Sequence, residues 1–139
     1  DALLAKVRYN RLVDIFLGLT TFSLQNHLRT SVKGIGQIEI DELYVGLDKY
    51  GCHYVIPVQA KGGRDQISTV QTAQDTAWCA QRYPKLRCRA ISAQFVTSDQ
   101  IALFELKIDD DQLKVVEERH YRLVPSGELD VKEIVAYRT

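Results

Sequence analysis

Glu39, Asp41, Gln59 and Lys61 stand out in this sequence because their types and spacing suit one kind of chemistry. The turn signal Asp48-Lys49-Tyr50-Gly51 lies between the two pairs. With Lys49-Tyr50-Gly51 as a three-residue loop and Gly51 in the left-handed conformation, Asp48 pairs with Cys52. Every cross-strand pair then has positions that sum to 100, which sets Asp41 opposite Gln59 and Glu39 opposite Lys61. Opposed side chains have Cβ atoms about 4.5–5.5 Å apart, near enough to share a cation. A two-residue loop would instead set Asp41 opposite Val58 and scatter the group.

Such a group suits metal-assisted hydrolysis of a phosphodiester. That reaction needs a hard cation to neutralise transition-state charge and to acidify a water. Mg²⁺ takes oxygen ligands and keeps several waters, so one or two side chains suffice. Asp41 offers a carboxylate, Gln59 a side-chain carbonyl oxygen, Ala60 a backbone carbonyl, and Glu39 a site for a second ion. Lys61 is placed to orient the attacking water or to stabilise the developing oxyanion. The plain alternative is a polar sheet end with Lys61 ion-paired to Glu39 across the strands.

The run Ile38-Glu39-Ile40-Asp41-Glu42-Leu43, a hairpin, and then Val58-Gln59-Ala60-Lys61 resembles the PD-(D/E)XK nuclease superfamily. The Gln-Ala-Lys form is similar to the Mrr-type restriction endonucleases, where Gln replaces the usual acidic residue. The resemblance implies a restriction-endonuclease-like αβββαβ core and Mg²⁺-dependent cleavage of DNA, with Mn²⁺ as a substitute metal. It also implies catalytic roles for Asp41, Gln59 and Lys61. Its motif covers about residues 38–62, and matching element order continues to about residue 108. Two departures are visible: Ile40 stands where the family has a proline, and Gln59 removes a negative charge.

The elements that must position these residues can be read from periodicity. Leu4, Val7, Leu12, Ile15 and Phe16 predict one helix over Leu3 to Phe16, ended by Gly18. A shorter helix is expected over Ser23 to Thr30, followed by Gly34 and Gly36 as breaks. Two strands form the hairpin, and Pro57 marks an irregular or edge position. Ser68 and Gln71 have capping-box spacing for a helix with Val70, Ala73, Ala77 and Ala80 on its inner face, stopped by Pro84. Strands follow over Leu86–Val96, Ile101–Ile108 and Leu113–Leu123, and a short helix is expected over Val131 to Ala136. The Asp109-Asp110-Asp111 run reads as a turn. The expected class is α/β, an α+β arrangement with helices flanking a central mixed sheet, in a single domain over 1–139.

Other residues are weaker candidates. Gln71 could orient Lys61 or touch DNA, although its capping role already accounts for it. Arg64, beside Gly62-Gly63, and the basic Arg87 and Arg89 are candidates for phosphate contacts, against the plainer reading of solvated surface. Asp14 could reach the site from the first helix. His27, His53 and His120 share no ligand spacing.

Composition bounds the rest. The 139 residues are 45% hydrophobic and 26% charged, an ordinary globular balance with zero formal net charge. Residues 1–38 carry five basic and two acidic residues, whereas residues 101–139 carry six and nine. Three cysteines without a CxxC pair suggest reduced thiols and a cytoplasmic setting. No apolar run is long enough to span a bilayer. The absence of Met leads to the expectation that Asp1 is not a natural start and that a targeting domain precedes it. DNA is the expected partner, in a homodimer if both strands are cut. A catalytically inactive nucleic-acid-binding domain and a protein-interaction domain are the rival readings.

Overall fold

A computed structural model describes residues 2–125, 127 and 132. Helix α1 runs Ala2–Tyr9 and α2 Leu12–Leu17; then come β1 Thr20–Val32, β2 Gly36–Leu47 and β3 His53–Lys61. Helix α3 spans Thr69–Arg82, followed by β4 Arg87–Cys88, β5 Ala90–Phe95, β6 Gln100–Asp109 and β7 Gln112–Arg122. The seven strands form one mixed sheet ordered β1-β2-β3-β5-β6-β7, with β4 also beside β3. Strand β3 runs parallel to β4 and β5, and every other pair is antiparallel. The described residues thus form an α+β arrangement, with helices on both faces of an open mixed sheet. Among the described residues no helix is long and apolar enough to cross a membrane.

Two cores sit on opposite sides of the sheet. Leu3, Leu4 and Val7 of α1 and Leu12, Val13 and Phe16 of α2 pack on Tyr44, Ile56, Val58, Ile91 and Leu103. Helix α3 covers the other side, where Trp78 and Cys79 meet Val32, Ile38, Ile40, Leu43 and Val55. Alternation along β3 produces this split: Ile56 and Val58 face α1 and α2, while Val55 and Gln59 face α3.

Local chemistry sets the element ends. The first predicted helix breaks at Asn10-Arg11, where Arg11 is left-handed (φ 53°), so Ile15 is turned to solvent at 63% exposure. Gly18 ends α2 in the left-handed conformation and donates its N–H to the Asp14 carbonyl. Ser68 caps α3, its Oγ accepting from Gln71 N at 3.0 Å. Asp110 and Asp111, both at positive φ, make the two-residue turn between β6 and β7.

The helix expected over Ser23 to Thr30 is instead the middle of β1, a strand at the edge of the sheet. Leu24 and Leu28 have helical spacing, but a register shift between Ser23 and Gln25 leaves Leu24 outward while Leu28 packs inward. His27 is left-handed (φ 50°) as well, so period-two alternation is hidden over this stretch. Pairing with β2 overrides the local preference. The strand expected over Leu86–Val96 is interrupted at Arg89. The short helix expected over Val131 to Ala136 lies, but for Lys132, outside the described residues.

Candidate functional site

The β2–β3 hairpin has the anticipated register. Glu42 pairs with Val58, Tyr44 with Ile56 and Leu47 with His53, each pair summing to 100, and Gly51 is left-handed at φ 83°. Asp48 fixes the turn, its Oδ1 accepting from Tyr50 N at 2.8 Å and Cys52 N at 3.0 Å. The ladder stops at Glu42 and Val58, one residue short of the expected Asp41–Gln59 pair. Beyond it the strands part, and Asp41 Oδ2 fills the gap by accepting from Ala60 N at 2.8 Å. The N–H and C=O of one residue share a strand edge, so the Ala60 carbonyl opens into the same gap.

Helix α3 supplies the other half of the site. Gln71 donates from Nε2 to Asp41 Oδ2 at 3.2 Å and accepts from Lys61 Nζ at Oε1, 3.0 Å away. One amide therefore ties the carboxylate to the ammonium. The capping box is only half made, because the Gln71 side chain bridges the site and does not return to Ser68 N. That amide donates to Gln59 Oε1 at 3.3 Å. Gln59 also donates from Nε2 to Thr72 Oγ1 at 2.6 Å and is only 2% exposed. Both ends of Gln59 are thus occupied by α3, and it braces the helix N-terminus against the sheet.

Asp75, one helical turn beyond Gln71, is the residue that sequence reasoning missed. It is 2% exposed, and its Oδ1 has no hydrogen-bond partner. Burial, aided by the Asp41 charge and opposed by Lys61, pushes its carboxyl up to about 8. Ser92 Oγ, on the strand residue paired with Gln59, is likewise buried and unpartnered. The buried residues of α3 are Thr72, Asp75, Trp78 and Cys79, and of the expected row Val70, Ala73, Ala77 and Ala80 only Ala77 packs against the same core; Val70 is 67% exposed. The Thr72, Asp75 and Trp78 spacing was the available signal, hidden because two of the three are polar.

Several candidates lie elsewhere. Glu39 is not opposite Lys61; it faces β1, with His27 Nδ1 at 3.3 Å and Arg29 Nε at 3.6 Å. Arg89 is engaged by Glu105 through two bonds of 2.9 and 2.8 Å and by the Leu17 carbonyl, so it is a sheet brace. Arg87 is exposed in β4, and Arg64 is exposed in the loop after β3. Asp14 holds Arg11 and Thr21 in the α2–β1 corner.

A divalent cation can be tested against these residues. Among the described residues no group of three or more His, Cys, Asp or Glu side chains could hold a metal. Mg²⁺ needs fewer, since water completes its shell. The unpartnered Asp75 oxygen is a buried acceptor in a carboxyl that also feels the Asp41 charge, a state a cation would relieve. Asp41, Asp75 and the Ala60 carbonyl therefore fit such an ion. Gln59 fits less well, its carbonyl oxygen already accepting from Ser68 N.

No protein-family model, curated protein or solved structure matches the chain, so its residues and their geometry alone carry the functional reading.

Proposed function

We propose that the chain is a metal-dependent endonuclease of the PD-(D/E)XK kind, hydrolysing DNA phosphodiester bonds. The bridge Lys61–Gln71–Asp41, with the unpartnered Asp75 one turn further along α3, carries this reading. It gathers a lysine and two carboxylates from two strands and a helix at one end of the sheet. The order of a helical segment, three strands, α3, the two-residue β4 and then β5 supports it, as does the parallel β3–β5 pair that α3 and β4 connect.

Asp41, Asp75 and the Ala60 carbonyl would hold Mg²⁺, with Mn²⁺ as substitute. Bound there, the ion supplies charge neutralisation at the phosphate and a more acidic water. Lys61 Nζ, held by Gln71, would orient a nucleophilic water and stabilise the developing oxyanion. Gln71 is a positioning residue that sets the ammonium against the carboxylate. Gln59 holds the α3 N-terminus at the distance this bridge requires.

Cleavage of supercoiled plasmid with Mg²⁺ or Mn²⁺ tests the reading. Nicking that needs metal and disappears in Asp41→Ala and Lys61→Ala is the expected result. Cleavage that survives both substitutions would refute the assignment. The full engagement of Gln59 favours a second reading, a nuclease-like domain that binds nucleic acid without cutting it. A wild type that binds duplex DNA but never cuts would select that one.

A further inference from the structure

Two of the three cysteines meet at the C-terminal end of α3. Cys79 is fully buried in the last turn of the helix, in the cluster that includes Val55. Cys88 is exposed on β4, where it pairs in parallel with the same Val55. Val55 faces α3, and residues paired side by side in a sheet point to one face, so Cys88 faces α3 as well. Helix packing and strand register thus bring both thiols to one residue from two directions. The thiols share a side-chain hydrogen bond, which together with burial pushes the Cys79 thiol far above its ordinary range. Cys52 packs against the other core, on the far side of the sheet.

The backbone around the pair is held in place. Tyr83 N donates to the Cys79 carbonyl at 2.8 Å, and Leu86 N donates to the Tyr83 carbonyl at 3.0 Å, which reverses the chain between the two cysteines. Arg89 N donates to the Val55 carbonyl at 3.1 Å, fixing β4 from its other end. Gln81 ties the end of α3 to the turn between β1 and β2, accepting from Lys33 N at 3.0 Å and donating to its carbonyl at 3.1 Å. The two sulfurs therefore meet without any prior ordering of the chain.

We infer that Cys79 and Cys88 form a redox-active dithiol that reduces a low-molecular-weight disulfide and closes to a Cys79–Cys88 disulfide. Cys88, the solvent-facing thiol, loses its proton and attacks first. Its sulfur bonds to one sulfur of the small disulfide, whose S–S bond breaks, and one small thiol leaves with a proton. Cys79 then gives up its proton and attacks the Cys88 sulfur of this mixed disulfide, and the second small thiol leaves with that proton. Two protein thiols are oxidised and one small disulfide is reduced to two thiols, and excess small thiol reverses each step. The second attack is intramolecular, so the burial of Cys79 does not block it.

The test incubates native protein with oxidised glutathione, blocks the remaining thiols with iodoacetamide and digests with trypsin without reduction. Cleavage after Arg82, Lys85 and Arg87 separates the two cysteines, so their disulfide appears as the Cys88-Arg89 dipeptide joined to the Cys79 peptide. The wild type should yield this linked pair, with Cys52 alkylated, and dithiothreitol should release it. Cys79→Ala should lose the link and hold one glutathione on Cys88. Cys88→Ser alters an exposed side chain and should keep the fold by circular dichroism while leaving Cys79 unoxidised. A wild type that stays reduced, keeps glutathione on Cys88 or links through Cys52 would overturn the inference. So would oxidation of Cys79 that survives Cys88→Ser.

Discussion

Two buried carboxylates on opposite faces of the same sheet make an instructive pair. Glu42, fully buried on the α1 side, accepts from Arg8 Nε at 2.9 Å and Nη2 at 3.1 Å, and from Ser23 Oγ. Asp75, as deeply buried on the α3 side, keeps an oxygen without a partner. The fold pairs Glu42 with a cation, whereas burial leaves Asp75 to keep its proton. A buried carboxylate left in deficit costs stability, and that deficit becomes useful where a cation is to bind. Position along the chain does not mark which carboxylate belongs to the site, since Glu42, held by Arg8, directly follows Asp41.

Removing the partner of Glu42 should have the largest effect. Arg8→Ala strands a buried charge and should lower unfolding stability by about 3 kcal/mol, the low end for such pairs because Arg8 is itself partly exposed. Urea unfolding measures this, and a loss near zero would erase the contrast. Asp75→Asn should leave the fold intact yet cut metal-dependent plasmid cleavage on the order of 100-fold. Retained cleavage would make Asp75 a structural residue like Glu42.

The same substitution has a pH signature in metal-free protein. Asp75 holds its proton to about pH 8 when folded but releases it near its ordinary value of 3.8 when unfolded. The folded state binds more protons between those values. Its contribution is therefore complete below pH 3.8 and is lost as pH rises through about 8. Thermal unfolding in EDTA should show the wild type melting about 5 °C lower at pH 9 than at pH 6, with a smaller fall in Asp75→Asn. Parallel slopes would contradict this. Arg89→Ala, which frees Glu105, should cost about 2 kcal/mol in the same urea assay without changing cleavage per folded molecule. Smallest of all, Glu39→Ala should shift stability by no more than about 0.5 kcal/mol, because its partners His27 and Arg29 are exposed.

The hairpin register was legible because turn chemistry and alternation agree: Gly51 fixes the loop, and the loop fixes every pair up to Glu42–Val58. The capping of α3 by Ser68 was legible for the same local reason. What escaped depends on tertiary choice. The β1 segment reads as helix because a bulge and a left-handed His27 hide its alternation. Glu39 was expected beside Lys61 by extending the ladder past the point where β2 and β3 separate. Asp75 escaped because a polar residue on a helix reads as solvent-facing. Its burial follows from the packing of Trp78 and Cys79 on the same side of α3.

The two-bond clasp of Gln81 on Lys33 has an energetic consequence. It joins the turn between β1 and β2 to the helix that carries Gln71 and Asp75, so the outer ends of these strands and the site share one cooperative unit. Local opening of α3 would dissolve the Lys61–Gln71–Asp41 bridge while most of the hairpin ladder stayed paired, well before global unfolding. Contacts that steady the outer ends of β1 and β2 therefore also favour an assembled bridge.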